Sequence, residues 1–250
     1  VVWNMTLAAN IISANVQYGQ IEKIKEVAGV QEVILENRYE PCVVKQEETA
    51  DPNMATSDKM IGSSAAWAAG YTGAGSRIAI IDTGADVDHP SLDPDALKYA
   101  LQGSNATIMT EADLTDEVLN QLNAYTRKAG LTAADFYVNE KIPFGFNYVD
   151  ADTDITHDND TQGDHGSHVT GIAAGNRFVK DEAGNYVAAL DSVMTQGVAP
   201  DAQILTMKVF GKRGGAYDSD YMVAIEDAMV LGADAANLSL GGSFPGYSEY

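Results

Sequence analysis

The sequence is poor in cysteine and in basic residues, and it contains no long apolar segment. Its single cysteine, Cys42, excludes an internal disulfide framework, although low cysteine content suits cytosolic proteins and exported bacterial proteins equally well. Only 15 Lys and Arg residues stand against 36 Asp and Glu, and a net charge of -21 would repel nucleic acids and anionic membrane surfaces. No run of about 18 apolar residues is present to span a bilayer. We therefore expect no nucleic-acid partner and no membrane span in this chain.

The two ends of the chain carry no recognisable signal. The sequence starts at Val1 without a methionine or a charged-then-apolar leader, so we expect a signal peptide to have been removed or never included. Residues 248–250 complete no recognisable element. With 250 residues, 45% of them hydrophobic, the chain can form one α/β domain and a smaller unit.

Residues 77–84 carry the pattern around which the chain is organised. Residues 78–81 are Ile-Ala-Ile-Ile, an apolar run without alternation, which predicts a strand covered on both faces in a parallel sheet. The run ends in Asp82, Thr83 and Gly84. Because ligands bind at the carboxyl ends of the strands in open α/β sheets, Asp82 is predicted to lie at a functional edge. A carboxylate buried there needs a polar partner.

The overall pattern divides the chain into three parts. Residues 1–40 are predicted to form a small α+β unit, with a helix at 18–28 and a strand at 30–35. Residues 41–57 lack periodicity and are predicted to be a linker and a zone of proteolytic cleavage. Residues 58–250 form the main part.

Strands and helices alternate in the main part, which is typical of parallel βαβ units with right-handed crossovers. The predicted strands are residues 77–82, 144–149, 204–210 and 233–240. The predicted helices are residues 57–70 with Ser57 as N-cap, 166–175, and 218–231 with Asp218 as N-cap. A polar insertion, residues 93–139, is predicted to be a surface excursion with one helix at 116–129, capped by Thr115.

His165 stands at the start of a predicted helix that is rich in small residues. An acid at a strand end and a histidine at the mouth of a buried helix are two parts of a relay that activates a hydroxyl nucleophile. In such a relay the carboxylate orients the imidazole, fixes its tautomer and stabilises the imidazolium that forms. Asp82 and His165 are therefore candidate partners, and a hydroxyl group is still required.

Three motifs follow one another in a recognisable order: residues 80–84 (Ile-Ile-Asp-Thr-Gly) with His89-Pro90, residues 165–169 (His-Gly-Ser-His-Val), and residues 237–242 (Asn-Leu-Ser-Leu-Gly-Gly). Their order and spacing resemble the subtilisin-like serine protease family, and the resemblance covers most of residues 57–243. It implies a three-layer α/β/α domain with a mostly parallel sheet, incomplete in this chain. Residues 1–40 resemble the C-terminal part of the family's inhibitory propeptide.

The resemblance implies a role for each motif. Asp82 would be the triad aspartate, and His165 the general base. The residues expected to pair with an extended substrate backbone are Ser239, Leu240 and Gly241, with Gly214 facing them across the cleft. The chemistry of the family requires no cofactor and no catalytic metal. Structural calcium is not expected at Ser91, because better-known relatives carry a calcium-binding aspartate there.

The family's nucleophile is absent from these residues. In the family it lies in a Gly-Thr-Ser segment that starts a later helix, and an asparagine helps to form the oxyanion hole, but neither appears here. We therefore expect the chain to be inactive alone and to depend on its own C-terminal half for the serine. The insertion at 93–139 and residues 141–148 resemble cell-envelope proteases of Gram-positive bacteria, which implies a secreted or wall-attached protein acting on polypeptides. Ser167 replaces the commoner threonine.

Two other chemical interpretations remain open. The Asp-Thr-Gly at 82–84 also resembles the catalytic loop of retroviral-type aspartic proteases, which pair two such loops in an all-β fold. A second alternative is a metal cluster built from His157, His165, His168, Asp158, Asp160 and Asp164, although the spacing does not match His-Glu-x-x-His. We expect the loop at 150–160 to be a solvated acidic loop, with weak calcium binding as its alternative.

A function of another class also remains open. The missing nucleophile would suit a non-catalytic fragment, a propeptide joined to half of a domain, that binds or inhibits without cleaving. Against this alternative, a chain that ended after one strand of the catalytic sheet would leave an unpaired apolar edge.

Overall fold

The computed structural model describes residues 1–41, 54–158, 160–161 and 163–241. Most of the predicted linker, including Cys42, lies outside these residues, as do Gly242 and residues 248–250. The strands are β1 (Trp3–Met5), β2 (Ile11–Ser13), β3 (Arg38–Pro41), β4 (Arg77–Asp82), β5 (Phe144–Asn147), β6 (Phe178–Lys180), β7 (Tyr186–Ala188), β8 (Gln203–Lys208), β9 (Ala216–Tyr217), β10 (Ala235–Asn237) and β11 (Leu240–Gly241). The α-helices are α1 (Ile21–Lys25), α2 (Met54–Ile61), α3 (Ser63–Ala68), α4 (Pro94–Ala100), α5 (Asp116–Leu119), α6 (Asn123–Arg127), α7 (Ala133–Phe136), α8 (His165–Ala174), α9 (Ala189–Ser192) and α10 (Asp218–Val230).

A four-stranded parallel sheet in the order β10-β4-β8-β5 forms the centre of the fold. β4 is an interior strand, and its last four residues are at most 1% exposed. The predicted α/β fold with a parallel sheet is therefore confirmed. In the β4–β8 register Asp82 lies opposite Lys208, at the carboxyl end of both strands.

Helices cover both faces of this sheet. On one face α8 packs against β4, and Ile80, Ile204 and Ala174 share a core cluster. On the other face α10 and the insertion cover a larger core that includes Ile81, Phe146, Met207, Val223 and Phe136. α8 begins at His165 and is followed by Gly175, close to its predicted bounds.

The insertion differs from its prediction. The single helix expected at 116–129 is two short helices, α5 and α6, although Thr115 does cap the first. The carboxylate of Asp227 accepts hydrogen bonds from the backbone N–H groups of Asn123 and Ala124, and it thereby fixes a second helix start. Several side chains of the insertion are buried in the large core, so the prediction of a surface excursion is wrong: Met109, Leu114, Leu119, Leu122, Ala124 and Phe136.

The N-terminal part is also less regular than predicted. α1 is shorter than the helix expected at 18–28, and no strand forms at 30–35, where Ile34 and Leu35 are more than half exposed. The strand that follows residues 30–35 is β3, which has partners on both sides.

Two further boundaries are corrected. The helix predicted at 57–70 starts at Met54, within the predicted linker, and is interrupted at Gly62, whose φ of 82° breaks the helical path. Ser57 thus lies inside α2 and is not its cap. At the start of α10 the cap is Tyr217, not Asp218, with Asp220 completing a capping box.

Candidate active site

Asp82 and His165 meet at the carboxyl edge of the central sheet. Asp82 ends β4 and has no exposed surface, whereas the side chain of His165, the first residue of α8, is 15% exposed. His165 Nδ1 lies 2.7 Å from Asp82 Oδ1. The other imidazole nitrogen remains available for a proton from a reacting group.

Thr83 links the turn after β4 to the start of α8. Its backbone N–H donates to Asp82 Oδ1 at 2.7 Å, and its hydroxyl accepts the N–H of Gly166 at 2.8 Å. A Cβ on Gly166 would lie 2.1 Å from the carbonyl oxygen of Gly84. The glycine of the His-Gly motif therefore allows the helix to approach the Asp-Thr-Gly turn closely enough to place the imidazole on the carboxylate.

A buried ion pair lies directly beneath this turn. Lys208 Nζ donates to Asp160, and both side chains are at most 1% exposed. The same ammonium donates to the carbonyl of Thr83 at 2.5 Å. Neither residue was predicted as part of the site, because a lysine after an apolar strand and an aspartate in an acidic loop carry no spacing signal.

The rest of the acidic loop forms local hydrogen bonds and one exposed ion pair. Asp150 Oδ2 accepts the N–H of Lys212 at 2.9 Å, and Asp154 lies 3.2 Å from Lys212 Nζ. Burial acts to raise the pKa of Asp154, but hydrogen bonds from Thr156 and Lys212 outweigh it and lower the pKa. Within the described part of the chain, no three His, Cys, Asp or Glu side chains are grouped so that they could hold a metal ion.

β3 is the middle strand of a second, antiparallel sheet in the order β11-β3-β9. Leu240 and Gly241 pair with β3, an extended segment of the same chain. On the other side the pairing residues are Ala216 and Tyr217, which sequence reasoning missed. Gly214 lies in the turn before β9.

Ser239 makes no β pairing in this sheet. Its hydroxyl donates to Asn237 Oδ1 at 3.0 Å. Of the four residues predicted to bind a substrate backbone, the structure thus brings Leu240 and Gly241 into a β ladder with β3 and leaves Ser239 and Gly214 beside it.

The side chains of β3 contact the walls of this sheet. The ring of Tyr39 meets that of Tyr221 edge-on, with centroids 5.6 Å apart. Burial raises the pKa of Tyr39, and a hydrogen bond with Asp218 raises it further. Arg38 crosses Gly215, where a Cβ would lie 2.1 Å from its Nε. β3 is therefore held by side chains as well as by backbone pairing.

A sequence profile described as the Subtilase family matches residues 73–249. This chain belongs to the subtilase family. It is 33% identical to the PI-type proteinase of Lactococcus lactis subsp. cremoris over 239 residues, which are 93% of this chain and 10% of that protein. It is 30% identical to the minor extracellular protease Vpr of Bacillus subtilis (strain 168) over 213 residues, 83% of this chain and 19% of Vpr.

A third relative extends the same picture. The chain is 29% identical to a C5a peptidase of Streptococcus pyogenes over 179 residues, 71% of this chain and 13% of that protein. The chain therefore spans a fifth or less of the length of the three relatives described. Subtilase membership, together with the parallel α/β sheet, excludes the retroviral-type aspartic protease alternative, which is an all-β fold.

The N-terminal segment of this subtilase chain docks on α10 through carboxylates. Glu226 accepts backbone N–H groups from Leu7 and Ala8, each at 2.7 Å. Burial acts to raise the pKa of Glu226, but these hydrogen bonds outweigh it and lower the pKa. Trp3, which is 2% exposed, donates its indole N–H to Asp220 Oδ1 at 3.0 Å. These contacts were not predicted, since single acids on a helix have no distinctive pattern.

Two further positions complete the description of the site. The hydroxyl of Ser91 lies 2.7 Å from His89 Nδ1, so it is engaged in a local hydrogen bond. His157 Nδ1 lies 3.3 Å from the hydroxyl of Ser167, and that hydroxyl accepts the N–H of Asp86 at 2.7 Å.

None of the helices that the structure describes is long and apolar enough to cross a bilayer.

Proposed function

We propose that the parent protein is a subtilisin-like serine endopeptidase, with His165 as general base and Asp82 as the residue that orients it. The observation that carries the proposal is the 2.7 Å contact between a fully buried carboxylate and a partly exposed imidazole at the carboxyl edge of a parallel sheet. The serine would be supplied by a part of the protein outside these 250 residues.

In the proposed reaction His165 accepts the proton of the serine hydroxyl as the serine oxygen attacks the scissile carbonyl. The resulting imidazolium, stabilised by Asp82, returns this proton to the leaving amine as the peptide C–N bond breaks. An acyl-enzyme remains. Water then attacks the ester, His165 takes up a proton from that water, and the serine leaves with the proton to complete the hydrolysis.

The proposed substrate is an extended polypeptide that pairs with Leu240 and Gly241 on one side and with β9 on the other. The position of β3 supports this assignment, because it shows that an extended segment fits between these two edges. β3 belongs to the segment that resembles a propeptide. We therefore propose that residues 1–40 inhibit the enzyme by occupying its substrate cleft until the linker is cut.

Location and cofactors follow from the same proposal. We propose a secreted or wall-attached protein, and the description of Vpr as an extracellular protease supports this location. In the proposed reaction His165 and the serine exchange the proton while Asp82 orients the imidazole, and no step is assigned to a cofactor. Calcium is not proposed at Ser91, whose hydroxyl is engaged by His89.

One observation favours a second candidate function. β3 already fills the strand position between β9 and β11. A stable product in which residues 1–40 stay in place would bind or inhibit without cleaving.

A fluorophosphonate probe, which labels only an activated serine, separates the two candidates. After linker cleavage and removal of residues 1–40, we expect the complete protein to gain the mass of one probe molecule in intact mass spectrometry, and the 250-residue chain alone to gain none. A complete protein that stays unlabelled after linker cleavage and removal of residues 1–40 would favour the non-catalytic alternative.

A further inference from the structure

The buried pair of Lys208 and Asp160 has no part in the proposed chemistry. Both side chains are removed from water, 0% and 1% exposed, and neither is placed to touch a substrate. Burying two charges carries a desolvation penalty that their mutual attraction offsets only in part, so a buried ion pair is weak evidence for stability. Its position under the Asp82 turn calls for another explanation.

Two hydrogen bonds connect Lys208 to the start of α8. The ammonium donates to the carbonyl of Thr83 at 2.5 Å, and the hydroxyl of the same threonine accepts the N–H of Gly166 at 2.8 Å. Gly166 directly follows His165. Loss of the ammonium would therefore loosen the turn that carries Asp82 and the helix end that carries His165.

The pair also contributes to the charge near the imidazole. Replacing either member of the pair by a neutral residue changes the charge buried beside the Asp82 turn by one unit, and in an interior of low dielectric constant such a change acts strongly on nearby charges. Other titratable groups on the elements around His165 include Asp86, Asp88 and His89 after β4, His157 and Asp158 in the acidic loop, and Asp164 and His168 on either side of it. Lys208 is a cation fixed by the sheet itself, because it lies opposite Asp82 in the β4–β8 register.

We propose that Lys208 and Asp160 are positioning residues for the Asp82–His165 pair: Lys208 holds the turn after Asp82, and the balance of the two buried charges tunes how readily His165 carries a proton. This inference rests on the proposed function. In this proposal Lys208 and Asp160 act through Asp82 and His165, and neither contacts the substrate.

The test compares Asp160→Asn and Lys208→Met in the complete protein by the pH dependence of kcat/KM on a peptide substrate. Asp160→Asn removes a negative charge, destabilises the imidazolium and moves the acid limb of the profile to lower pH. Lys208→Met removes a positive charge and moves the limb to higher pH. We expect each shift to be about half a pH unit or more. The double variant should return toward the parent profile.

A purely structural role would not give shifts of opposite sign. Lys208→Met should also lower kcat at the pH optimum with little change in KM, because the loosened turn positions Asp82 and His165 and does not itself bind substrate. If the acid limb stays in place in both variants, or moves in the same direction in both, the proposal is overturned. Asp160→Asn keeps the shape of the side chain, so it remains informative if Lys208→Met does not fold, and Lys208→Gln serves as its replacement.

Asp154→Asn is the matched control. Asp154 belongs to the same acidic loop and pairs with Lys212, but the two side chains are 39% and 48% exposed. Solvent screens such an exposed pair, so the acid limb of the Asp154→Asn profile should lie at the same pH as in the parent. A shift in Asp154→Asn as large as that in Asp160→Asn would overturn the assignment to the buried pair. Failure of the parent protein itself to hydrolyse peptides or take up the fluorophosphonate would instead contradict the proposed function.

Discussion

At the level of single residues, the imidazole of His165 depends on one carboxylate oxygen. Asp82 Oδ1 takes both the contact with His165 and the N–H of Thr83, whereas Oδ2 is buried and has no hydrogen-bond partner among the described residues. The orientation of the carboxylate is therefore set by the Thr83 turn. A substitution that keeps its shape should disturb the chemistry more than the fold.

Asp82→Asn in the complete protein tests this dependence. An amide can present an N–H to His165 Nδ1 and select the wrong tautomer, so we expect kcat for peptide hydrolysis to fall by roughly 10⁴-fold, the drop known for the corresponding substitution in another Ser-His-Asp protease. Circular dichroism and the thermal unfolding midpoint should stay close to those of the parent. Near-normal peptidase activity in a folded variant would contradict the role proposed for Asp82.

Lys141 is a buried residue whose effect is on stability. Its ammonium donates to the carbonyls of Pro200 and Ala202 and is fully buried, and burial lowers its pKa from 10.5 to about 7. Because the unfolded chain binds this proton more tightly, stability rises as pH increases from about 7 to 10.5. The change across this window corresponds to roughly 4 to 5 kcal/mol.

Lys141→Met removes this proton linkage. We expect the free energy of unfolding of the parent, relative to the variant, to increase between pH 7 and pH 10 and to stay level between pH 5 and pH 6. Thermal unfolding midpoints of the two proteins, measured side by side across this range, provide the comparison. A difference that does not depend on pH would show that Lys141 is not held in its neutral form by burial.

At the level of elements, α10 connects the N-terminal segment to the central sheet. Its neighbouring acids Glu226 and Asp227 serve different partners: the first accepts N–H groups from residues 6–9, and the second caps α6 and accepts the hydroxyl of Tyr148 at 2.9 Å. One helix turn therefore holds both the N-terminal segment and the insertion.

Glu226→Ala should release the N-terminal segment from α10. The lost hydrogen bonds are charge-assisted, so we expect amide hydrogen exchange at Leu7 and Ala8 to accelerate by about 10-fold or more. In the parent, the lowered pKa of Glu226 means that this docking is strongest above pH 4.5, its ordinary value, and weakens as pH falls further. Glu22→Ala, which removes an exposed pair with Lys25, should leave exchange at these amides unchanged.

At the level of the whole molecule, the parallel sheet could be predicted because the uninterrupted apolar run at 78–81 requires cover on both faces. The meeting of Asp82 and His165 was also predicted, since a strand end and a helix start come together at the same edge. Their catalytic roles remain proposals. The Lys208–Asp160 pair could not be predicted, because its members are brought together only by the path of a long acidic loop.

Tertiary contacts also explain the elements that were predicted wrongly. The helix expected at 116–129 obeys local capping rules at Thr115, but the buried carboxylate of Asp227 starts a second helix at Asn123. The strand expected at 30–35 has suitable residues, but it has no partner strand among the residues that the structure describes. In both cases the local sequence pattern suits the predicted element. The presence or absence of a contact distant in sequence decides the structure.

The order of the strands in the central sheet has a consequence during synthesis. β4 lies between β8 and β10, both of which are encoded far downstream. Ile80 and Asp82 therefore leave the ribosome long before either neighbouring strand exists, and contacts of such large sequence separation form slowly. Until Asn237 emerges, this largely apolar strand of the nascent chain has at least one open edge that a chaperone can bind or another nascent chain can join.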